Sequence, residues 1–343
     1  MHYRTLGTSG TIVSDLALGT MTFGNEADEA TSHLIIDTFV EAGGTFIDTA
    51  DVYSAGDSET IIGRWLAAHP TEAQQVVVAT KGRFPMGEGP NDLGLSRRHL
   101  GRALDASLKR LGVEQIDLYQ MHAWDAITPI EETLGFLNEA VVAGKIGYYG
   151  FSNYLGYQLT KAALTAKALG YAAPVTLQPQ YSLLVRGIEN EVVAAALDNG
   201  IGLLPWSPLA GGWLTGKYQR DEQPEGATRL GDDPKRGMEA YAPRNEDPRT
   251  WDVIGVVRVV AEAHGVSLSQ VALAWVNAQP AVTSVILGAR TVDQLKDNLK
   301  STDLVLSADE LQQLSDVSVP RVEQYPYGEA GRAQRNRKLE GGR

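Results

Sequence analysis

Apolar and polar positions along this chain follow two alternating rhythms. Short runs rich in aliphatic and β-branched residues are each followed by a longer segment in which apolar positions recur every three or four residues. The first pattern fits a buried strand and the second an amphipathic helix. Strands are predicted at 16–19, 45–48, 76–81, 116–121, 147–151, 175–177, 201–205 and 284–287, and helices at 28–42, 57–68, 96–111, 129–143, 155–169, 189–198 and 291–300. Ser96 stands where an N-cap is needed and Pro129 where a first helical turn tolerates it. Asp57-Ser58-Glu59 is expected to cap the helix it opens.

Eight strands interleaved with helices imply a parallel sheet with right-handed crossovers. Eight such units in this length favour a closed (β/α)8 barrel. A doubly wound sheet would carry a glycine fingerprint after its first strand, but that position reads Gly19-Thr20-Met21-Thr22-Phe23-Gly24. The stretch LGTSGT at 6–11 reads as the turn of an N-terminal β-hairpin closing the barrel bottom. Residues 209–250 are too long and polar for an ordinary connection and are expected to form either a functional lid or a disordered loop. Helical patterns at 251–264 and 268–278 precede the eighth strand, and another follows at 308–317. One barrel domain over 1–317 and a solvated tail over 318–343 is the expected organisation, with a tail that edges the pocket as the alternative.

Composition narrows the function. The chain has 343 residues, a net charge of −12 and no cysteine. Disulfides, thiolate nucleophiles and cysteine-based metal sites are thereby excluded. The acidic balance speaks against nucleic acid as a partner. No apolar run approaches the ~20 residues of a membrane helix, and the N-terminus lacks the apolar stretch of a secretory signal, so the expectation is a cytoplasmic protein without a membrane partner. The six histidines (2, 33, 69, 99, 122 and 264) form no HxxxH pair, so no metal site is expected. No GxSxG elbow is present for a serine nucleophile.

In a parallel barrel the C-terminal strand ends converge on one face. Here they carry Asp48, Lys81, His122, Ser152-Asn153, Gln178, Trp206-Ser207 and Gly288-Ala289-Arg290. Tyr53 lies on the loop just beyond Asp48. A phenol titrates near 10 and is a poor acid at neutral pH, but a neighbouring ammonium favours the phenolate. Lys81, on the adjacent strand, is placed to supply that charge and Asp48 to hold Lys81. His122 can hydrogen-bond a substrate oxygen. Such a group can protonate a carbonyl as hydride arrives, or deprotonate an alcohol in reverse.

The segments DTADVY (48–53), ATKG (79–82), DLYQMH (117–122), GFSN (150–153), LQPQYSLL (177–184), PWSPLAGG (205–212) and GARTVDQLKDNL (288–299) together resemble the aldo-keto reductases. More narrowly, they resemble the bacterial branch related to the potassium-channel β-subunit. The resemblance runs from residue 2 to about 317. It implies Tyr53 as general acid/base, Lys81 and Asp48 as its supports, and His122 as the group orienting the carbonyl. It implies NADP as cofactor, with NAD as second choice. The nicotinamide carboxamide would be held by Ser152, Asn153 and Gln178, with Trp206 stacked on the ring. Gly19, Thr20 and Met21 would line the cofactor from the first strand. Ser207, Leu209, Gly211, Gly212 and Lys217 would follow the pyrophosphate, and Arg229 the adenosine end. Gly288, Arg290, Gln294, Asp297 and Asn298 would form the adenosine and 2′-phosphate pocket. Many family members carry Lys where Gly288 stands and Arg where Gln294 stands, which leaves Arg290 as the nearby cation of that motif.

The resemblance also implies reversible reduction of aldehydes or ketones by an enzyme that is either a monomer or a homo-oligomer. The substrate is expected to be an aromatic or aliphatic carbonyl, or a keto-sugar. Phe23, Phe84, Trp124, Tyr154 and Tyr181 stand near the predicted mouth as substrate contacts. The alternative is a nucleotide-sensing subunit of channel type. Channel β-subunits replace the catalytic histidine with asparagine, and this chain keeps His122.

Overall fold

A computed structural model describes residues 1–225, 230–231, 235, 239–320, 322 and 325–328. Two short antiparallel strands come first, β1 (Tyr3–Thr5) and β2 (Ile12–Ser14), joined by the turn at 6–11. The main sheet comprises β3 (Leu16–Gly19), β4 (Phe46–Asp48), β5 (Val77–Gly82), β6 (Ile116–Met121), β7 (Ile146–Ser152), β8 (Thr176–Gln178), β9 (Gly202–Leu203) and β10 (Val285–Gly288). All pairings among them are parallel, in the order β10-β3-β4-β5-β6-β7-β8-β9. The seam between the two ends is stitched by backbone hydrogen bonds. Leu203 N donates to Ala281 O at 2.7 Å, Thr283 N to Leu203 O at 2.8 Å and Ile286 N to Pro205 O at 2.9 Å. The sheet thus curls into the (β/α)8 barrel.

Around it run α1 (Glu29–Glu41), α2 (Asp57–Ala68), the single turn α3 (Pro70–Ala73), α4 (Arg97–Leu111), α5 (Ile130–Val142), α6 (Gly156–Leu169) and α7 (Val192–Asp198). Then come α8 (Tyr241–Glu246), α9 (Pro248–His264), α10 (Leu268–Asn277), α11 (Val292–Leu299) and α12 (Ala308–Val317). Ser96 caps α4 by accepting from His99 N at 3.3 Å. Pro129 stands one residue earlier than expected, at the N-cap of α5. The expected cap at Asp57-Ser58-Glu59 is not formed: Gly56 occupies the N-cap and no side chain bonds there. Ser58 and Glu59 are instead fully buried. Ser58 Oγ lies 2.8 Å from Thr20 Oγ1 and 2.9 Å from Thr49 Oγ1, while Glu59 pairs with Arg110 at 2.6 Å and accepts from Thr80 at 2.5 Å. These side chains pin α2 to the barrel wall and to α4.

The period-2 alternation of the strands sorts the core into two sets. Ala17, Phe46, Ala79, Leu118, Val175, Leu204 and Ile286 point inward, joined from below by Leu6 and Val13 of the hairpin. Their sequence neighbours Leu16, Leu18, Ile47, Val78, Tyr119, Leu203 and Leu287 face the helices. The hairpin is fastened at the bottom, where Arg4 Nη1 donates to Val282 O at 2.7 Å. Gly7 has φ +58, and a Cβ there would lie 2.1 Å from Val175 O, so only glycine admits this approach. Among the described residues no single helix is long and apolar enough to cross a membrane.

Candidate active site

The same alternation that places apolar side chains inside the barrel brings polar ones to its mouth. Two residues beyond Phe46 comes Asp48, beyond Ala79 comes Lys81, and beyond Leu118 comes Gln120; all three are buried. Burying Lys81 costs several kcal/mol unless its charge is paired, and it is. Its ammonium donates to Asp48 Oδ2 and to Thr49 O, each at 2.7 Å, and lies 3.4 Å from the Tyr53 hydroxyl. Asp48 Oδ1 accepts from Gln178 Nε2 at 2.8 Å and from Gln120 Nε2 at 3.3 Å. Gln120 in turn accepts from Thr176 Oγ1 at 3.4 Å. A carboxylate gripped by this many donors is fixed in position and holds the ammonium in place.

Tyr53 opens a 3-10 turn at Tyr53–Gly56, in which Ser54 and Ala55 adopt left-handed angles. This tight fold returns the phenol over Lys81, whose Nζ is 4.9 Å from the ring centre. The electrostatics differ from the sequence expectation. Part of the ring reaches the surface, but the hydroxyl sits beside buried Lys81. Desolvation there pushes the phenol above its ordinary value, and Lys81 pulls it only partly back. Lys81 itself is raised: burial opposes its charge, but Asp48 and Tyr53 outweigh that. His122 is pushed down to about 2 by burial, then by Lys81 and Arg83, and so stays neutral at working pH. Its ring meets Tyr53 edge-on at 5.9 Å and Phe84 at 4.6 Å. A protonated phenol and a neutral imidazole, side by side, form a pair of hydrogen-bond donors for one oxygen.

Residues 15–319 match the profile described as "Aldo/keto reductase family". The chain belongs to the aldo/keto reductase family. It is 40% identical to "Uncharacterized oxidoreductase YrpG" of Bacillus subtilis (strain 168) over 325 residues, which cover 92% of this chain and 96% of that protein. It is 37% identical over 310 residues to "Probable voltage-gated potassium channel subunit beta" of Oryza sativa subsp. japonica, covering 89% and 92%. With "Versiconal hemiacetal acetate reductase" of Aspergillus parasiticus the identity is 32% over 344 residues, covering 94% and 98%. The chain is accordingly an oxidoreductase of this family.

Other residues singled out for an aldo/keto reductase fall into three groups. Ser152, Asn153, Gln178 and Trp206 meet beside the tetrad of Asp48, Tyr53, Lys81 and His122. Asn153 Nδ2 donates to His122 O and to Ser152 Oγ, each at 3.0 Å, and Trp206 Nε1 donates to Asn153 Oδ1 at 3.1 Å. Ser152 Oγ donates to Gln178 O at 2.8 Å. Thr20 is buried, its backbone N–H donating to Asp48 O at 3.0 Å, while Met21 is half exposed at the end of β3. A Cβ on Gly19 would press on Ile286 at 2.6 Å.

The second group is the turn after β9. Ser207, Ala210, Gly211 and Gly212 all have positive φ, and Leu209 O accepts the Gly212 N–H at 2.9 Å. Ala210 N–H donates to Ser207 O at 2.9 Å and Gly211 N–H to Ser207 Oγ at 3.3 Å, so the turn is tightly wound. A Cβ on Gly212 would meet Lys217 Nζ at 2.6 Å, which places a cation over that turn. The third group lies beyond β10. Arg290 Nε is 3.3 Å from Glu26, and the Arg290 backbone N–H donates to Gln294 Oε1 at 3.0 Å. Gly288 is open to solvent with nothing within 4 Å of its would-be Cβ. Asp297 accepts from Ser267 Oγ and Gln270 Nε2, each at 2.7 Å, tying α11 to α10, and Asn298 is buried. Arg229 lies outside the described residues, as does most of the expected tail. At 325–328 the Tyr327 hydroxyl donates to Glu191.

The aromatic candidates separate in the same way. Phe84 and Trp124 are half-buried at the mouth, and Tyr154 stacks on Phe151 at 4.4 Å and meets Trp124 edge-on at 5.2 Å. Phe23 and Tyr181 lie inside the core, and the Tyr181 hydroxyl donates to Glu189 at 2.6 Å. Sequence reading missed Gln120, which strand parity alone could have found.

Proposed function

We propose that this chain is a carbonyl reductase that uses NADPH to convert aldehydes or ketones to alcohols, reversibly, with NADH as second choice. The observation that carries the reading is the chain Asp48–Lys81–Tyr53 at 2.7 and 3.4 Å, set beside neutral His122. The bound cofactor supplies the hydride. Tyr53 gives its proton to the carbonyl oxygen while His122 donates a hydrogen bond to the same atom. Lys81 stabilises the phenolate that remains, and Asp48, held by Gln120 and Gln178, keeps Lys81 charged. In the oxidation direction the phenolate takes the alcohol proton.

The residues present fit a dinucleotide. Ser152, Asn153 and Gln178 offer amide and hydroxyl groups for the carboxamide, and Trp206 offers a partly open ring face. The positive-φ turn at 207–212 with Lys217 suits a pyrophosphate. Gly288, Arg290, Gln294 and Asn298 would serve the adenosine end. Arg290 is already paired with Glu26, which weakens its draw on a 2′-phosphate and keeps NADH in play. The channel-subunit alternative rests on relatives such as the rice protein; an intact tetrad including His122 supports an active enzyme.

The test follows loss of reduced-cofactor absorbance with a panel of aldehydes and ketones. Tyr53→Phe should abolish turnover while leaving cofactor affinity within about two-fold, because the phenol touches the reacting oxygen and not the nucleotide. Carbonyl reduction by that variant at the parent rate would sink the mechanism.

A further inference from the structure

Arg83 is a cation at the mouth that the mechanism above does not use. It follows β5 two residues after Lys81 and adopts φ +150, a backbone region that side-chain-bearing residues avoid at a cost of order 1–3 kcal/mol. Its guanidinium carbon lies 4.9 Å from the Phe84 ring centre, and that ring lies 4.6 Å from His122. One aromatic ring therefore separates the Arg83 charge from the imidazole that would meet the carbonyl. The charge is felt at His122, at Tyr154 and at Asp125, all around the same opening.

Arg83 has no carboxylate partner among the described residues. Asp125, a carboxylate that feels its charge, is committed elsewhere: Oδ2 accepts from Leu95 N at 2.9 Å and Thr128 Oγ1 at 2.7 Å, and Oδ1 from Ile127 N at 3.0 Å. Arg83 Nε is buried without a partner, and Nη2 makes only a long contact of 3.5 Å to Trp124 O. In a chain of net charge −12, a cation held in an unfavourable conformation beside an aromatic cleft and left without a counter-ion is poised for an external anion. A guanidinium presents a planar fork that matches a carboxylate.

We infer that Arg83 is a specificity-determining residue that selects carbonyl substrates bearing a carboxylate about one ring's width from the reacting C=O. The inference rests on the carbonyl-reductase reading and deepens it. The reacting carbonyl takes its place between Tyr53 and His122, the substrate's apolar body lies against Phe84 and Trp124, and its carboxylate meets Arg83.

The test compares 4-carboxybenzaldehyde with its methyl ester, which has nearly the same shape and no charge, using the full chain and NADPH. The parent protein should show kcat/KM at least about ten-fold higher for the acid, carried mainly by KM, and the preference should shrink as salt rises. Arg83→Met should bring the ratio near one while leaving turnover of the ester unchanged, and Arg83→Lys should keep part of it. Equal use of acid and ester by the parent protein would overturn the assignment. So would an Arg83→Met variant that loses both substrates alike, since that is the signature of a merely structural arginine. Turnover of both aldehydes without preference leaves the reductase reading standing. No turnover of either, or of any other carbonyl, overturns that reading and the inference together.

Discussion

At the scale of single residues, burial governs the chemistry more than proximity does. Lys81 is close enough to Tyr53 to favour the phenolate, yet desolvation of the phenol is the larger effect, so the free protein holds a proton on Tyr53. That suits the proposed reduction, in which the phenol would act as an acid. Asp51 shows the same balance outside the tetrad. It is fully buried between α2 and the barrel wall, and neither carboxylate oxygen has a partner. Burial, then the charge of Glu59, push it from 3.8 up to about 7. The native state therefore binds more protons than the unfolded chain between those two values. Stability from this residue is fully present below the unfolded value and is lost as pH rises through about 7. Asn at this position does not titrate and should remove the slope. The melting-temperature difference between Asp51→Asn and the parent should move in the variant's favour as pH rises from about 4 to about 8, then level off. A difference independent of pH would mean that Asp51 is not protonated in the fold.

At the scale of elements, most of the architecture was legible because strands and helices here obey their periods. All eight barrel strands fall within a few residues of the apolar runs that predict them. Misplacements have local causes: Pro205 cannot donate to a ladder, so the fifth residue of the expected run 201–205 lies past β9. A 3-10 turn at Gly187–Asn190 delays α7 to Val192. Asp48, Lys81 and His122 were legible as charges or rings ending apolar runs. Gln120 was legible only through strand parity, since nothing local reveals that its amide reaches Asp48 two strands away. The true role of Ser58 and Glu59 was hidden for the same reason: their partners Thr20, Thr80 and Arg110 are remote in sequence.

Gly63 carries an element-scale prediction of opposite sign to its local propensity. Glycine in the middle of a helix costs about 0.5–1 kcal/mol against alanine, so propensity alone says that Gly63→Ala stabilises. In the structure a Cβ on Gly63 would lie 2.3 Å from Arg110 O and 2.8 Å from the Leu111 carbonyl carbon. Both are backbone atoms of α4 and cannot swing aside. Gly63→Ala should therefore push α2 off α4 and strain the Glu59–Arg110 pair, with a net loss of about 1–3 kcal/mol. Thermal unfolding followed by circular dichroism decides the sign, and a raised melting temperature would show that the two helices can part freely.

At the scale of the whole molecule, the barrel separates what holds it together from its candidate active site. The tetrad sits at the C-terminal ends of the strands, while the hairpin β1–β2 plugs the opposite end with Leu6 and Val13. Leu6 is fully buried, packed against the inward-facing layer from below. Removing its branched end leaves a cavity that the surrounding strands cannot collapse into, because each is held by backbone hydrogen bonds on both sides. Leu6→Ala should cost about 2–5 kcal/mol. The strand ends that position Asp48, Lys81 and Gln120 lie a full strand length away and keep their own hydrogen bonds, so the geometry of the mouth is unaffected. The variant should thus lose thermal stability while kcat/KM, measured well below its melting point, stays within about two-fold of the parent value. A large fall in kcat/KM with the fold intact would instead reveal that packing at the bottom is coupled to the tetrad at the top.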